Sequence, residues 1–352
     1  MISEQITSHK IYKGGAHDMS AIDDNSVALV ATSPPYPMIA MWDEIMSLQN
    51  GEIGEALKNE DGPKAFELMH IELDAVWREI DRILMPGGFA CINIGDATRT
   101  IGGQFQLYPN HSRIINAFAE LGIPNLPNVI WRKQTNAPNK FMGSGMLPSG
   151  AYVTLEHEWI LVFRKGGKRI FKSSEDKLKR QQSAFFWEER NNWFSDLWDL
   201  KGTKQSISKS ESRKRSAAYP LEIPHRLIQM YSLYGDIVVD PFGGTGTTAI
   251  AAIASGRSSI SYDIDSAFTK MMSDNIEAIE LDFYSDIIDQ RMANHKAFIE
   301  KREADPKKSP IKYYNENIHQ KVMTKQEVNM QLLKPSIITK TKDGFQTTHN
   351  SH

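Results

Sequence analysis

Thr32-Ser33-Pro34-Pro35-Tyr36 is the sharpest local feature of the chain. The two prolines stiffen the backbone and have no N–H to give. Ser33 brings a hydroxyl and Pro34 a carbonyl, so two acceptors can converge on one NH2 group, and Tyr36 brings a flat ring that can stack. An exocyclic amino nitrogen on an aromatic ring is a poor nucleophile, because its lone pair is delocalised into the ring. Two acceptors on its hydrogens favour a pyramidal nitrogen with the lone pair free. No strong base is needed before attack, since the proton can leave afterwards. Preorganised hydrogen bonds and in-line placement would do most of the catalysis. A proline-stiffened loop end can have the same four residues.

A second feature lies far downstream. Asp240-Pro241-Phe242-Gly243-Gly244-Thr245-Gly246-Thr247-Thr248-Ala249 follows an apolar run. Gly244-x-Gly246-x-x-Ala249 fits the relaxed dinucleotide fingerprint, in which glycines let the backbone approach a ligand. Asp263 follows at the end of the next apolar run, where a ribose diol would be gripped. A nucleotide-triphosphate loop would need Gly-Lys-Ser/Thr, and Gly246 is followed by Thr247. A pyrophosphate needs a helix N-terminus free to receive negative charge, which Asp240 opposes. That acid suits a ligand with a cationic amino group, as S-adenosylmethionine has.

The flanking elements place both turns. Val27–Thr32 reads as a buried strand stopped by the prolines. Apolar residues at Leu73, Val76, Trp77, Ile80, Ile83 and Leu84 predict a helix over Phe66–Leu84, ended by Met85-Pro86-Gly87-Gly88. Strands follow over Phe89–Ile94, Val129–Trp131 and Glu158–Phe163, with a helix over Ser112–Leu121. Further on, Pro224–Tyr234 is helical, Asp236–Asp240 a strand, Thr247–Ser255 a helix and Ser258–Ile264 a strand. Ala267–Arg302 is mainly helical, and beyond Asp305 the polar chain resists placement. Alternating strands and helices imply an α/β fold with a mostly parallel sheet and helices on both faces. Such sheets place ligands at the C-terminal ends of their strands, where both turns fall.

The chain has 352 residues, 40% hydrophobic and 24% charged, with net charge -2. It holds no run of 18 or more apolar residues, so no membrane span or membrane partner is expected. The start lacks a basic region followed by an apolar core, and a cytoplasmic, DNA-associated location is the expectation. With one cysteine, Cys91, there is no internal disulfide, and no metal site is expected. Residues 164–215 carry 15 Lys/Arg against 7 Asp/Glu. Such a segment suits a polyanion-binding surface, or is simply a solvated loop. Its aromatics, including Phe186, Trp187, Trp193 and Trp198, suggest an insertion with its own small cluster.

Ser33–Tyr36 followed downstream by Asp240–Thr248 resembles the DNA amino-methyltransferases of permuted, β-type motif order, in which the catalytic motif precedes the cofactor motif. Leu84–Phe89 with Asn93-Ile94-Gly95-Asp96, Trp131-Arg132-Lys133 with Asn136–Asn139, His157–Phe163, Ser195–Trp198 and Ala218-Tyr219-Pro220 are similar to further segments of that family. The resemblance spans about residues 10–270. It implies a methyltransferase sheet with one reversed strand, S-adenosylmethionine as the only cofactor, and duplex DNA as partner. Ser33, Pro34, Pro35 and Tyr36 would form the catalytic site. Asp240, Pro241, Phe242, Gly244, Gly246 and Thr247 would surround the cofactor, with Asp263 on its ribose. Ser-Pro-Pro-Tyr is typical of enzymes making N4-methylcytosine, whereas adenine-N6 enzymes more often have Asp at the first position. Family members often place an adenine-contacting Asp where Gly14-Gly15 stand here, and Asp18 is the nearby substitute.

The expected division is a catalytic half over 1–165, a basic target-recognition insertion over 166–215, a cofactor-binding half over 216–295 and a polar extension over 296–352. The target base would be flipped out of the duplex, because its amino group cannot reach a buried cofactor from within the stack. Arg213, Lys214 and Arg215 are candidate phosphate contacts. A cognate restriction endonuclease acting on the same site is a possible partner, and a monomer or homodimer is expected. Adenine-N6 methylation is the nearest alternative. A dinucleotide oxidoreductase would leave Ser33–Tyr36 unexplained, and a non-catalytic DNA-binding protein would leave Ser33 idle. Methylation of RNA or protein also fits the turn. Ring-carbon methylation needs a thiolate, and Cys91 lies mid-strand in an apolar run.

Overall fold

The computed structural model describes residues 4–133, 142–143, 146–202 and 219–351. In chain order the strands are β1 (Glu4–Lys13), β2 (Val27–Thr32), β3 (Leu84–Ile94), a hairpin of β4 (Ala97–Ile101) and β5 (Gln104–Tyr108), and β6 (Val129–Arg132). A short pair, β7 (Met142–Gly143) and β8 (Ala151–Tyr152), precedes β9 (His157–Arg164) and β10 (Leu197–Asp199). Next come β11 (Ile237–Asp240), β12 (Ser258–Asp263), a hairpin of β13 (Tyr313–Asn315) and β14 (Gln320–Val322), then β15 (Leu333–Thr341) and β16 (Gly344–Ser351). Ten of these form one sheet in the order β10-β6-β9-β3-β2-β11-β12-β1-β16-β15. Pairing is parallel from β3 through β2, β11 and β12 to β1. β9 runs against both of its neighbours, as the resemblance implies, and β16 is a second reversed strand that it does not.

The sheet is covered on both faces because its central strands are apolar on both. On β2, Val30 packs into a core with Trp77 and Ile80 of the helix Gly62–Ile83 and Phe118 of the helix Asn110–Glu120. Its neighbours Leu29 and Ala31 face the other side, against Ile228 of the helix Glu222–Tyr231 and Ala251 of the helix Thr247–Ala254. β11 repeats this with Val239 on the first face and Val238 on the second. The period-2 alternation of a strand thus feeds two cores from one apolar run. Among the described residues no helix is long and apolar enough to cross a membrane.

Several boundaries depart from the sequence reading. The helix Gly62–Ile83 starts four residues early, where the Asp61 side chain caps Lys64 N at 3.1 Å and Pro63 sits in the first turn. Met85–Gly88 does not form a break between helix and strand. It lies inside β3, whose register against β2 shifts between the pairs Val27–Leu84 and Leu29–Phe89. Residues 267–302 form two helices, Ser266–Ala278 and Leu281–Glu303, parted at extended Ile279 and Glu280. Among the described residues the insertion's aromatics divide: Phe185 lies against Trp193 and Phe194, whereas Trp198 packs into the core of the second sheet face. Phe186 packs with Ile288 and Met292 of the helix Leu281–Glu303 and with Ile318, Val322 and Met330 of the C-terminal segment. A segment this short has too little apolar surface to enclose Phe186 by itself.

The C-terminal segment carries β15 and β16, which extend the sheet through β1. Gly344, at φ 146°, closes their two-residue turn, and a Cβ there would sit 1.9 Å from the His9 carbonyl oxygen. Backbone cannot yield as a flexible side chain can. Gly344→Ala is therefore expected to destabilise the protein by about 2 kcal/mol or more, read as a lower urea midpoint at unchanged slope. An unchanged midpoint would mean that the hairpin does not dock on β1 as described.

Candidate active site

The C-terminal ends of β1, β2, β11 and β12 share one edge of the sheet, and the segments that leave them enclose a cavity of about 500 Å³. Gly14–His17 leave β1, Ser33–Pro35 leave β2, Asp240–Thr245 and Thr247 leave β11, and Asp263 and Ile264 leave β12, all lining it. β2 and β11 are adjacent, and their following helices go to opposite faces of the sheet. This is the crevice expected at a topological switch point.

Ser33, Pro34 and Pro35 line the cavity, and Tyr36 stands beside them outside that lining. The Tyr36 ring lies against Gly95, where a Cβ would come within 3.0 Å of it. Its hydroxyl donates to Glu158 Oε2 at 2.8 Å, receives Asn93 Nδ2 at 2.8 Å, and lies 3.1 Å from Ser33 Oγ. Asn93 Nδ2 also donates to Glu158 Oε2 at 2.7 Å. Lys133 Nζ pairs with Glu158 Oε1. Burial, and after it the Glu158 charge, push the Tyr36 phenol well above its ordinary pKa, so it stays protonated and can donate. Glu158 and Asn93 are buried. Sequence reading noted Asn93, Lys133 and Glu158 only as parts of familiar segments, because nothing local links residues 36, 93, 133 and 158.

Asp240, at the end of β11, is 2% exposed. Its carboxylate accepts from Thr32 Oγ1 at 2.5 Å, Thr248 Oγ1 at 2.6 Å and the Phe242 N–H at 3.1 Å. Burial raises its pKa, while bonds from Thr248, Thr32 and Phe242 counter the rise. Asp240 thus fastens the glycine turn to β2 besides facing the cavity. Phe242 lines the cavity and meets Trp77 edge-on at 6.4 Å. Gly244 (φ 51°) and Gly246 (φ 87°) adopt left-handed backbone. Only Gly244 lines the cavity. Gly246 starts the helix Thr247–Ala254, and a Cβ there would lie 2.6 Å from Met272 Cγ, so it serves close packing. Asp263 accepts from Gly244 N at 3.0 Å and Asp265 N at 2.9 Å, and burial raises its carboxyl to about 6.

Other wall residues come from a helix without a sequence expectation, from the long helix and from the segment before the helix Glu222–Tyr231. Trp42, Ile45, Met46 and Gln49 lie on and just before the helix Asp43–Gln49, and Glu72 projects from the long helix. Tyr219 lines the cavity and bonds Thr248 Oγ1 at 2.5 Å. Asp18 does not reach the wall. It is exposed and accepts from Ser20 N at 3.0 Å. Cys91 is buried and its thiol is pushed up by burial, an inert group. Trp193 and Trp198 are buried, and Trp198 Nε1 donates to Trp193 O at 3.0 Å, which makes them packing residues. Trp187 is 39% exposed. Arg213, Lys214 and Arg215 fall outside the described residues.

A family model described as DNA methylase, for N6 and N4 methyltransferases, matches residues 27–274. The type II methyltransferase M.MthZI of Methanothermobacter thermautotrophicus is 50% identical over 341 residues, 96% of this chain and 94% of that protein. M.MjaI of Methanocaldococcus jannaschii is 48% identical over 299 residues, 81% and 97% of the two chains. A putative DNA modification methylase of Thermus thermophilus, solved in complex with S-adenosyl-L-methionine, superposes with TM-score 0.58 at 30% identity, covering 76% of this chain and 94% of its own. The PvuII DNA methyltransferase, described as cytosine-N4-specific, shares the fold with TM-score 0.53 at 16% identity over 82% of this chain and 94% of its own. With the family match over most of its length and a relative 50% identical over 96% of it, this chain belongs to the N6/N4 family of DNA methylases.

Proposed function

We propose that the protein is a type II DNA methyltransferase that uses S-adenosylmethionine to methylate N4 of a flipped cytosine in duplex DNA. The observation that carries this reading is the meeting of Ser33 with the Asp240–Thr247 turn and Asp263 in one cavity. The acceptor of an amino group and the grip for a cofactor then lie within reach of each other. S-adenosylmethionine supplies, when bound, a methyl group made electrophilic by its sulfonium.

The cavity suits that molecule. Its volume falls in the usual range for small-ligand sites. Asp263 offers a carboxylate to a ribose diol, the Gly243–Gly244 backbone permits close approach, and Asp240 supplies negative charge behind a cationic ligand. Ser33 Oγ and the Pro34 carbonyl would hold the amino hydrogens, and one ring face of Tyr36 would meet the base while Gly95 supports the other. The basic segment over 166–215, with Arg213, Lys214 and Arg215, is the proposed DNA contact. The names of M.MthZI and M.MjaI support a restriction-modification setting with a cognate endonuclease. Serine at position 33 favours cytosine over adenine. Incubation with DNA and labelled cofactor, then nucleoside analysis, is expected to yield N4-methylcytosine. Labelled N6-methyladenine alone would overturn the choice of base.

Asp263 makes the cofactor's affinity depend on pH. Its folded-state carboxyl titrates near 6, above the ordinary 3.8. The sign is that of a raised acid: its stabilisation is complete below the unfolded value and is lost as pH rises through 6. The ionised carboxylate is the form able to accept both ribose hydroxyls. Affinity for S-adenosylmethionine should hold from pH 8 to 7 and fall about tenfold by pH 5. Titration calorimetry across this range reads the effect, and Asp263→Asn should flatten it. A wild-type profile as flat as that of the variant would remove Asp263 from the ribose site.

A further inference from the structure

We infer that Glu158 is a positioning residue for methyl transfer, acting through Tyr36 to orient the Ser33 hydroxyl and to take up the proton that the amino group must lose. The inference rests on the reading of Ser33 as the amino-group acceptor.

Donor and acceptor chemistry fixes the direction of the chain. Glu158 Oε2 is an acceptor only, so the Tyr36 hydroxyl and Asn93 Nδ2 must both donate to it. Asn93 could not be turned over without setting its carbonyl oxygen against that carboxylate, so its second N–H goes to Tyr36 Oη. Tyr36 has then spent its one hydrogen on Glu158. The 3.1 Å contact between Ser33 Oγ and Tyr36 Oη can be made only by the Ser33 hydrogen. Ser33 therefore turns its lone pairs, and not its hydrogen, towards an amino group in the cavity. Lys133 pairs with the other oxygen of Glu158, which sets a cation beside a carboxylate that is 7% exposed.

The same chain balances the proton. After methylation the exocyclic nitrogen carries a positive charge and one hydrogen too many. That N–H breaks as a bond forms to Ser33 Oγ, the Ser33 O–H breaks as one forms to Tyr36 Oη, and the Tyr36 O–H breaks as one forms to Glu158 Oε2. The product amine is then neutral and the carboxyl is protonated. A protonated amine conjugated to a base ring is far more acidic than a carboxylic acid, so Glu158 remains a sink even beside Lys133.

Glu158→Gln keeps the shape but cannot take the proton. The decisive measurement is single-turnover methylation of duplex DNA in H2O and D2O, with cofactor and DNA affinities and the melting temperature taken alongside. The expected result is a rate at least tenfold lower, affinities within twofold of wild type, and loss of the wild-type solvent isotope effect. Tyr36→Phe, which keeps the ring and breaks the chain, should match it and serves if Glu158→Gln is unstable. A wild-type rate and isotope effect in both variants would overturn the role of Glu158, as would a loss confined to affinity or stability. If those variants are unaffected while Ser33→Ala is inactive, the relay fails and the methyltransferase reading stands. If Ser33→Ala is also unaffected, the reading of Ser33 fails with it.

Discussion

Ser33→Ala is expected to lower single-turnover methyl transfer by about 10²–10³-fold, the usual cost of one preorganised donor or acceptor aimed at developing charge. Positive charge grows on the amino nitrogen only as the new bond forms, so the Ser33 lone pair matters most in the transition state. Affinity for cofactor and DNA should change little, and the loss should sit in the rate of the bound complex. The fold has no reason to suffer. Ser33 is half-buried, and Tyr36 keeps its bonds to Glu158 and Asn93 when the serine hydroxyl is gone. Rapid-quench measurement with saturating enzyme tests this directly. A rate within threefold of wild type would show that the amino group is held elsewhere.

Asp240 should be as sensitive for two reasons that separate by substitution. Asp240→Ala strips the acceptor from the Thr32 hydroxyl and the Phe242 N–H, both beside the join of β2 and β11, whereas the Thr248 hydroxyl keeps Tyr219 and the Ala31 carbonyl. With each orphaned group costing about 1 kcal/mol, the loss of stability should be about 2 kcal/mol. Asp240→Asn keeps the shape and one acceptor oxygen, enough for Thr32 and Phe242, but removes the charge. It should spare most of that stability while weakening S-adenosylmethionine by at least about tenfold, or 1.4 kcal/mol. Urea unfolding with calorimetric binding reads both. Equal cofactor affinity in Asp240→Asn and wild type would assign this acid a purely structural task, that of holding the glycine turn.

Much of this was legible in the sequence, and the legible part is local. Ser33–Tyr36 announces itself because prolines fix a turn and a serine hydroxyl in adjacent positions. The Asp240–Thr248 turn does so through glycine spacing after an apolar run. Periodicity placed Val27–Thr32 to the residue, since one short strand with both faces buried is uniformly apolar. The C-terminal hairpin carried a readable signal in Asp343-Gly344 between β-branched runs, but the polar residues around it obscured the pairing. Gly246 is legible as a glycine its backbone requires, and it does adopt left-handed φ; the close approach of Met272 to it is not legible in any local pattern.

The two chemical turns and the strands that end in them are readable from the residues, because each depends on positions a few apart. That β2 and β11 lie side by side, so that two turns some 200 residues apart enclose one cavity, comes from the packed fold. That fold alone also brought Glu158 to Tyr36 across 122 positions and turned Phe186 onto the C-terminal segment. The physical reason is that strand order and helix packing are set by burial of apolar surface, which is non-directional and indifferent to sequence separation. Hydrogen-bond direction at Ser33 is set in turn by that packing, through a carboxylate that no local pattern could have named.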